Sequence, residues 1–167
     1  MSKKKLSLKQ GVDAACILFT LNSEKEQVLN LLVQMEKDSF SPNSIDKELF
    51  CFEWYAFVHA AVVAGLMVHA PNITLVEYLR QTSSLLQTKG IAIAKTQNFV
   101  DQHFTPYIEL VGMEDQKLCP ERFFQMVCKI NKIENIPKKA LALISATMAL
   151  VMSAIADKMD KYEFLAD

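Results

Sequence analysis

The sequence predicts an all-α fold, a single-domain bundle of six to eight helices around two largely buried, Ala-rich central helices. Three observations predict it. Apolar residues recur at helical spacing along nearly the whole chain of 167 residues. The four Gly and five Pro fall mostly between those periodic segments. No run of β-branched residues alternates with polar ones as a half-buried strand would. Residues 1–167 read as one helical domain, with 1–10 a flexible basic N-terminal segment.

A first short helix is predicted over Val12 to Leu21. Ser23-Glu24-Lys25-Glu26 has the pattern of a capping box, which opens a second helix with Val28, Leu31, Leu32 and Met35 on its apolar face. Ser39 to Ser44, with Pro42 and Asn43, is the clearest loop. A third helix runs from about Ile45 to His69 and stops before Pro71. Thr74-Leu75-Val76-Glu77 repeats the capping-box pattern and opens a fourth, which reaches about Thr88 before Lys89-Gly90 interrupts it. Ile91 to His103 resumes the helix, and Thr105-Pro106 marks a further start. Cys119-Pro120 opens a helix to about Lys132, and Pro137 opens the last, to about Phe164.

Two of these helices are apolar on nearly every side, so other helices must surround them. In the last, Ala142, Ala146, Ala149, Ser153 and Ala156 form a small stripe, beside a bulky one of Leu141, Ile144, Met148, Val151 and Ile155. The third divides the same way: Ala56, Ala60 and Ala64 against Phe52, Tyr55, Val62 and Leu66. The expectation is that the two pack by their alanine faces, with the alternative that one alanine stripe lies at a homodimer seam. Either arrangement makes Ala60 and Ala146 intolerant of large replacements.

The most suggestive constellation lies on the third helix. At 100° per residue, Tyr55, His59, Val62, Leu66 and His69 fall in an arc of about 80°. A Tyr and two His on an apolar face suit a ligand pocket, with Tyr55, His59, Leu66 and His69 as its lining. The plainer reading makes the histidines core residues that each hydrogen-bond a neighbour. Glu53, set among Phe50, Cys51, Phe52, Trp54 and Tyr55, is either a buried proton donor or a carboxylate near a helix start. Cys119 would be an N-cap thiol. Asp101, His103, Tyr107 and Glu109 cluster around Thr105-Pro106 as a solvated helix junction, with a His–carboxylate pair at most.

No metal site is predicted: His59 and His69 are about 15 Å apart along a helix, and no Cys-x-x-Cys or Glu-x-x-His pattern occurs. No cofactor signature occurs either; glycine-rich phosphate loops and the common hydrolase motifs are missing. With 18 basic and 19 acidic residues, and Arg only at positions 80 and 122, nothing points to nucleic acid. Trp54 to Ala70 and Ala140 to Ala156 are each uncharged over 17 residues, at the lower limit for a membrane span, which favours buried core helices over insertion. Unpaired cysteine spacing suggests reduced thiols and a cytoplasmic protein.

The function these features favour is non-catalytic: a helical protein acting through protein–protein association as an adaptor, chaperone-like protein or assembly subunit, with an unidentified protein partner and a homodimer as the simplest case. Eight Met residues suit an adaptable surface. A binder of a small apolar ligand on the Tyr55/His59/His69 face is the alternative. An enzyme using Glu53, a His or Cys119 comes third.

Overall fold

Helix α3 (Lys47–His69) runs through the middle of the bundle, and its sequence explains both its start and its burial. Asp46 caps it, the carboxylate accepting from the Glu48 and Leu49 amides, which satisfies two of the orphan N–H groups of a helix start. From Phe50 onward almost every side chain is apolar, and from Cys51 to Val63 only Phe52 is not fully buried. The computed structural model describes residues 2–37, 45–113, 115, 117–129 and 133–167; the loop expected over 39–44 lies outside them.

The all-α fold matches the sequence: 79% of the described residues are helical, and α3 and the last helix are central. Ahead of α3 come α1 (Leu8–Asn22) and α2 (Lys25–Lys37); after it come α4 (Asn72–Leu79) and α5 (Thr82–Thr88). A continuous helical stretch then covers α6 (Thr96–Asn98), a π-helical segment (Phe99–Phe104) and α7 (Thr105–Val111). The chain finishes with α8 (Leu118–Cys128) and α9 (Lys138–Asp160). One hydrophobic core draws on all the longer helices.

Several local expectations need correction. The N-terminal segment expected to be flexible is ordered from Lys4 onward: Lys4–Leu6 forms strand β1, parallel to β2 (Tyr162–Phe164), with Leu6 opposite Phe164. Lys4 N donates to Lys161 O at 3.0 Å and Leu8 N to Asp167 O at 2.7 Å, so the two ends of the described chain are stitched together. Three residues per strand are too few to show an alternating pattern. Gly11 lies under this pair, where a Cβ would approach the Phe164 ring to 2.9 Å.

The capping box belongs to Ser7 and Gln10 at the start of α1, not to Ser23 and Glu26. Ser23 is instead the C-cap of α1, its hydroxyl turned back to the Phe19 carbonyl, a competing use that short hydroxyl side chains often find. Thr74 likewise sits inside α4, fully buried, rather than at its cap. The expected fourth helix is broken at Arg80–Gln81 into α4 and α5.

The largest correction concerns α9. It packs along α3, but not by alanine faces: Ala142, Ala146, Ala149 and Ser153 are all exposed, while Ile144, Met148, Ile155 and Met159 are buried. On α3 the receiving side is Gly65, where a Cβ would stand 2.5 Å from the Met159 sulfur and 3.4 Å from Ile155. Ala56, Ala60 and Ala64 lie about 100–180° round the helix from Gly65. Ala56 and Ala60 are fully buried and Ala64 half-buried. Bulky knobs on α9 therefore enter a hollow made by a missing side chain on α3.

Gly65→Leu should fill that hollow and lower stability by about 1–3 kcal/mol through overpacking, read as a lower melting temperature with helix content preserved below it. An unchanged melting temperature would disprove the close α3–α9 approach.

Candidate functional site

The residues of the predicted ligand face do not meet in one place. His59 is fully buried between α1, α4 and the π-helical segment, against Phe19, Tyr78 and Phe104. Thr82 Oγ1 donates its proton to Leu79 O at 2.6 Å, so it accepts from His59 Nε2–H at 3.0 Å. His59 Nδ1 then accepts from the Tyr78 hydroxyl at 2.8 Å. Both ring nitrogens are occupied and the ring is neutral, as its setting requires: burial pushes its pKa down to about 3. Leu66 is wholly buried and His69 ends α3 half-buried. The plainer reading of His59, a satisfied core histidine, holds.

Tyr55 points elsewhere. It borders an open cavity of about 650 Å³ formed by α2, the first turns of α3, the 89–98 segment and His103. Lys89 reaches across the back of it, its Nζ 5.5 Å from the Tyr55 ring centre and donating to Ser23 O at 2.8 Å. Partial burial lowers the Lys89 pKa, and burial raises those of Tyr55 and Cys51.

At the inner edge of this cavity, two residues that the sequence left apart come together. Glu53 is completely buried, and its Oε2 accepts from His103 Nδ1 at 2.6 Å. His103 is 7% exposed and sits edge-on to the Phe52 ring. Its backbone belongs to the π-helical segment; the wider turn brings Phe99, His103 and Phe104 all inward, where an α-helix would swing Phe104 away. Tyr107, one turn further, is buried beside the same carboxylate. Burial first, then the Glu53 charge, holds its pKa well above the ordinary tyrosine value, against a smaller opposing effect of Arg122. Glu53 Oε1 and Tyr107 Oη both lack a partner of good geometry.

This pairing was legible only in part. Phe99, His103 and Tyr107 recur every four residues, a buried stripe that places His103 inward, but 50 residues separate it from Glu53. The basic rim of the cavity (Lys25, Lys47 and Lys95) carried no sequence signal at all. Cys119 is the second residue of α8 rather than its cap, and burial raises its pKa to about 11, so it has no reactive thiolate character. Among the described residues, no group of three or more His, Cys, Asp or Glu could hold a metal ion.

A second surface stands out by what does not cover it. Both α3 and α9 are long and apolar enough to cross a membrane by length and composition, with mean hydropathy of 1.6 and 1.9. In α3, 78% of the apolar window is buried within the protein; in α9 only 22% is. The outer face of α9 carries Ala142, Ala146, Ala149, Leu150 and Ser153, all exposed, with Leu150 at 70%.

The chain matches no protein-family model, no curated protein and no solved structure.

Two predictions follow from the buried histidines. His59 takes no proton in the fold until about pH 3, whereas the unfolded chain takes one near pH 6.5. Its contribution is therefore complete above pH 6.5 and is lost as pH falls toward 3, by about 1.4 kcal/mol per pH unit. Denaturant melts at stepped pH should show this slope, and His59→Gln should remove it. His103→Leu strands the Glu53 carboxylate and should cost about 3–5 kcal/mol, while Glu53→Leu/His103→Leu should recover much of the loss. A double variant no more stable than His103→Leu would contradict the pairing.

Proposed function

We propose that this is a non-catalytic assembly subunit that acts through protein–protein association, with the outer face of α9 as its docking surface and a second copy of the chain as the occupant. The observation that carries the reading is the exposed face of a helix, uncharged from Ala140 to Ala156, whose opposite side is locked into the core. Small side chains on that face let another helix backbone approach closely. A lipid surface is a poorer match, because alanine and serine offer little apolar area. α9 also cannot leave the bundle without withdrawing Ile144, Met148, Ile155 and Met159 from the core.

Charge placement supports a copy of α9 running antiparallel. Lys138 and Lys139 stand at the N-terminal end of the helix and Asp157 and Asp160 at the C-terminal end. That is the reverse of what the helix macrodipole favours, apart from Lys158, which turns over the Tyr162 ring. Asp160 lies 3.6 Å from Lys3, but Lys139 and Asp157 have no ion-pair partner among the described residues. Both share the arc of about 100° that holds the small residues. In a two-fold pair crossing at Met148, Lys139 of each copy falls opposite Asp157 of the other. Such rim charges orient the pair more than they bind it, so the buried seam supplies the affinity. Four free thiols among the described residues fit a reducing compartment such as the cytoplasm.

Light scattering after size exclusion should give twice the chain mass. Ala146→Arg should yield a monomer whose melting temperature, read at low concentration, is unchanged. Lys139→Asp should weaken the dimer and Lys139→Asp/Asp157→Lys restore it. A monomer at several hundred micromolar would sink the two-fold reading, and flotation with vesicles abolished by Ala146→Arg would assign the face to lipid instead.

A further inference from the structure

The cavity at the start of α3 has the features of a binding site in its own right, independent of the α9 face. His103 is more than nine-tenths buried, yet only one of its nitrogens is used within the protein. Nδ1 is committed to Glu53. Nε2 has no protein partner, and it is not among the buried polar atoms that lack one, so it opens onto the cavity that the ring lines. The Glu53 carboxylate on Nδ1–H fixes the ring orientation, and in the imidazolium form Nε2–H is then a donor aimed into the cavity at the inner edge of an otherwise apolar wall. Glu53 is held on α3 and His103 on the π-helical segment, both rigid elements.

The walls beside it are apolar and the rim is basic. Phe52, Tyr55, Leu29 and Ile91 provide the apolar surface. Lys25, Lys47, Lys89 and Lys95 border the opening, against only Asp46 and Glu48. Asp46 is spent on capping α3 and Lys89 on the Ser23 carbonyl. Lys25, Lys47 and Lys95 have no ion-pair partner among the described residues. The uncommitted charge around the cavity is therefore positive, although the chain as a whole is nearly neutral.

We propose that this cavity binds a small amphiphilic anion: an apolar body against Phe52, Tyr55 and Leu29, with an anionic head taken by the rim lysines and by Nε2–H of the His103 imidazolium. The volume of about 650 Å³ suits one ligand of that kind rather than a polymer. Its polar contacts are few and specific, and its apolar area supplies most of the affinity.

Decanoate is the probe, with decan-1-ol as its uncharged counterpart. Calorimetry should show one saturable decanoate site per chain, with decanol at least tenfold weaker. Lys47→Glu/Lys95→Glu should weaken decanoate about tenfold and leave decanol unchanged, while Leu29→Trp should block both. The proton spectrum reads the position without any variant: of three histidines, His103 should shift on titration while buried His59 and distant His69 stay fixed. A decanoate titration that saturates with His103 unmoved overturns the proposal, as does the absence of saturable binding. Decanoate lost in Ala146→Arg but retained in a folded Leu29→Trp places it on the α9 face and also overturns it.

Discussion

A helix buried on all sides can hold a polar side chain only where a partner meets it, and α3 imposes that condition on everything around it. Its two deep polar groups are Glu53 and His59, both at or near zero exposure. Leaving either unpartnered would cost several kcal/mol, more for the carboxylate. The surrounding elements are placed accordingly. The break between α4 and α5 sets Tyr78 and Thr82 on opposite sides of the His59 ring. The π-helical segment sets His103 against Glu53. Two departures from regular α-helix therefore coincide with the two polar groups that α3 carries inward.

The two pairings differ in what they leave open. His59 donates once and accepts once, and its ring is closed off by Phe19, Phe99 and Phe104. Nothing remains with which to bind a ligand, and its cost is a dependence of stability on pH. His103 is held by one nitrogen only, at the edge of a cavity. Burial makes the first histidine structural; partial access makes the second available for recognition. The α9 face presents the same contrast on a larger scale, since its inner stripe is consumed by the core while its outer stripe has no partner among the described residues.

How much of this was legible follows from the range of each interaction. The apolar stripe of α2 (Val28, Leu31, Leu32 and Met35) is a local pattern, and the structure buries all four. The end of α3 before Pro71 was equally local. The capping boxes were not: Ser23 and Thr74 have the right spacing, yet each hydroxyl has another use or environment that the tetrapeptide does not contain. The packing of α3 on α9 was misjudged for a related reason. Two alanine stripes look alike in sequence, but close approach depends on which stripe is turned inward, and Gly65 supplies the hollow that decides it.

The sequence by itself determined the helical class, the order of the main helices, and the burial of α3, because those depend on periodicity and composition within a few turns. It also placed Tyr55, Glu53 and His103 among groups worth following. Only the tertiary structure decided that His59 is closed and His103 open, that Glu53 and His103 pair across 50 residues, and that the small stripe of α9 faces outward. The physical reason is that burial and hydrogen-bond partnership belong to the space between elements, whereas a helical repeat fixes only which residues share a face.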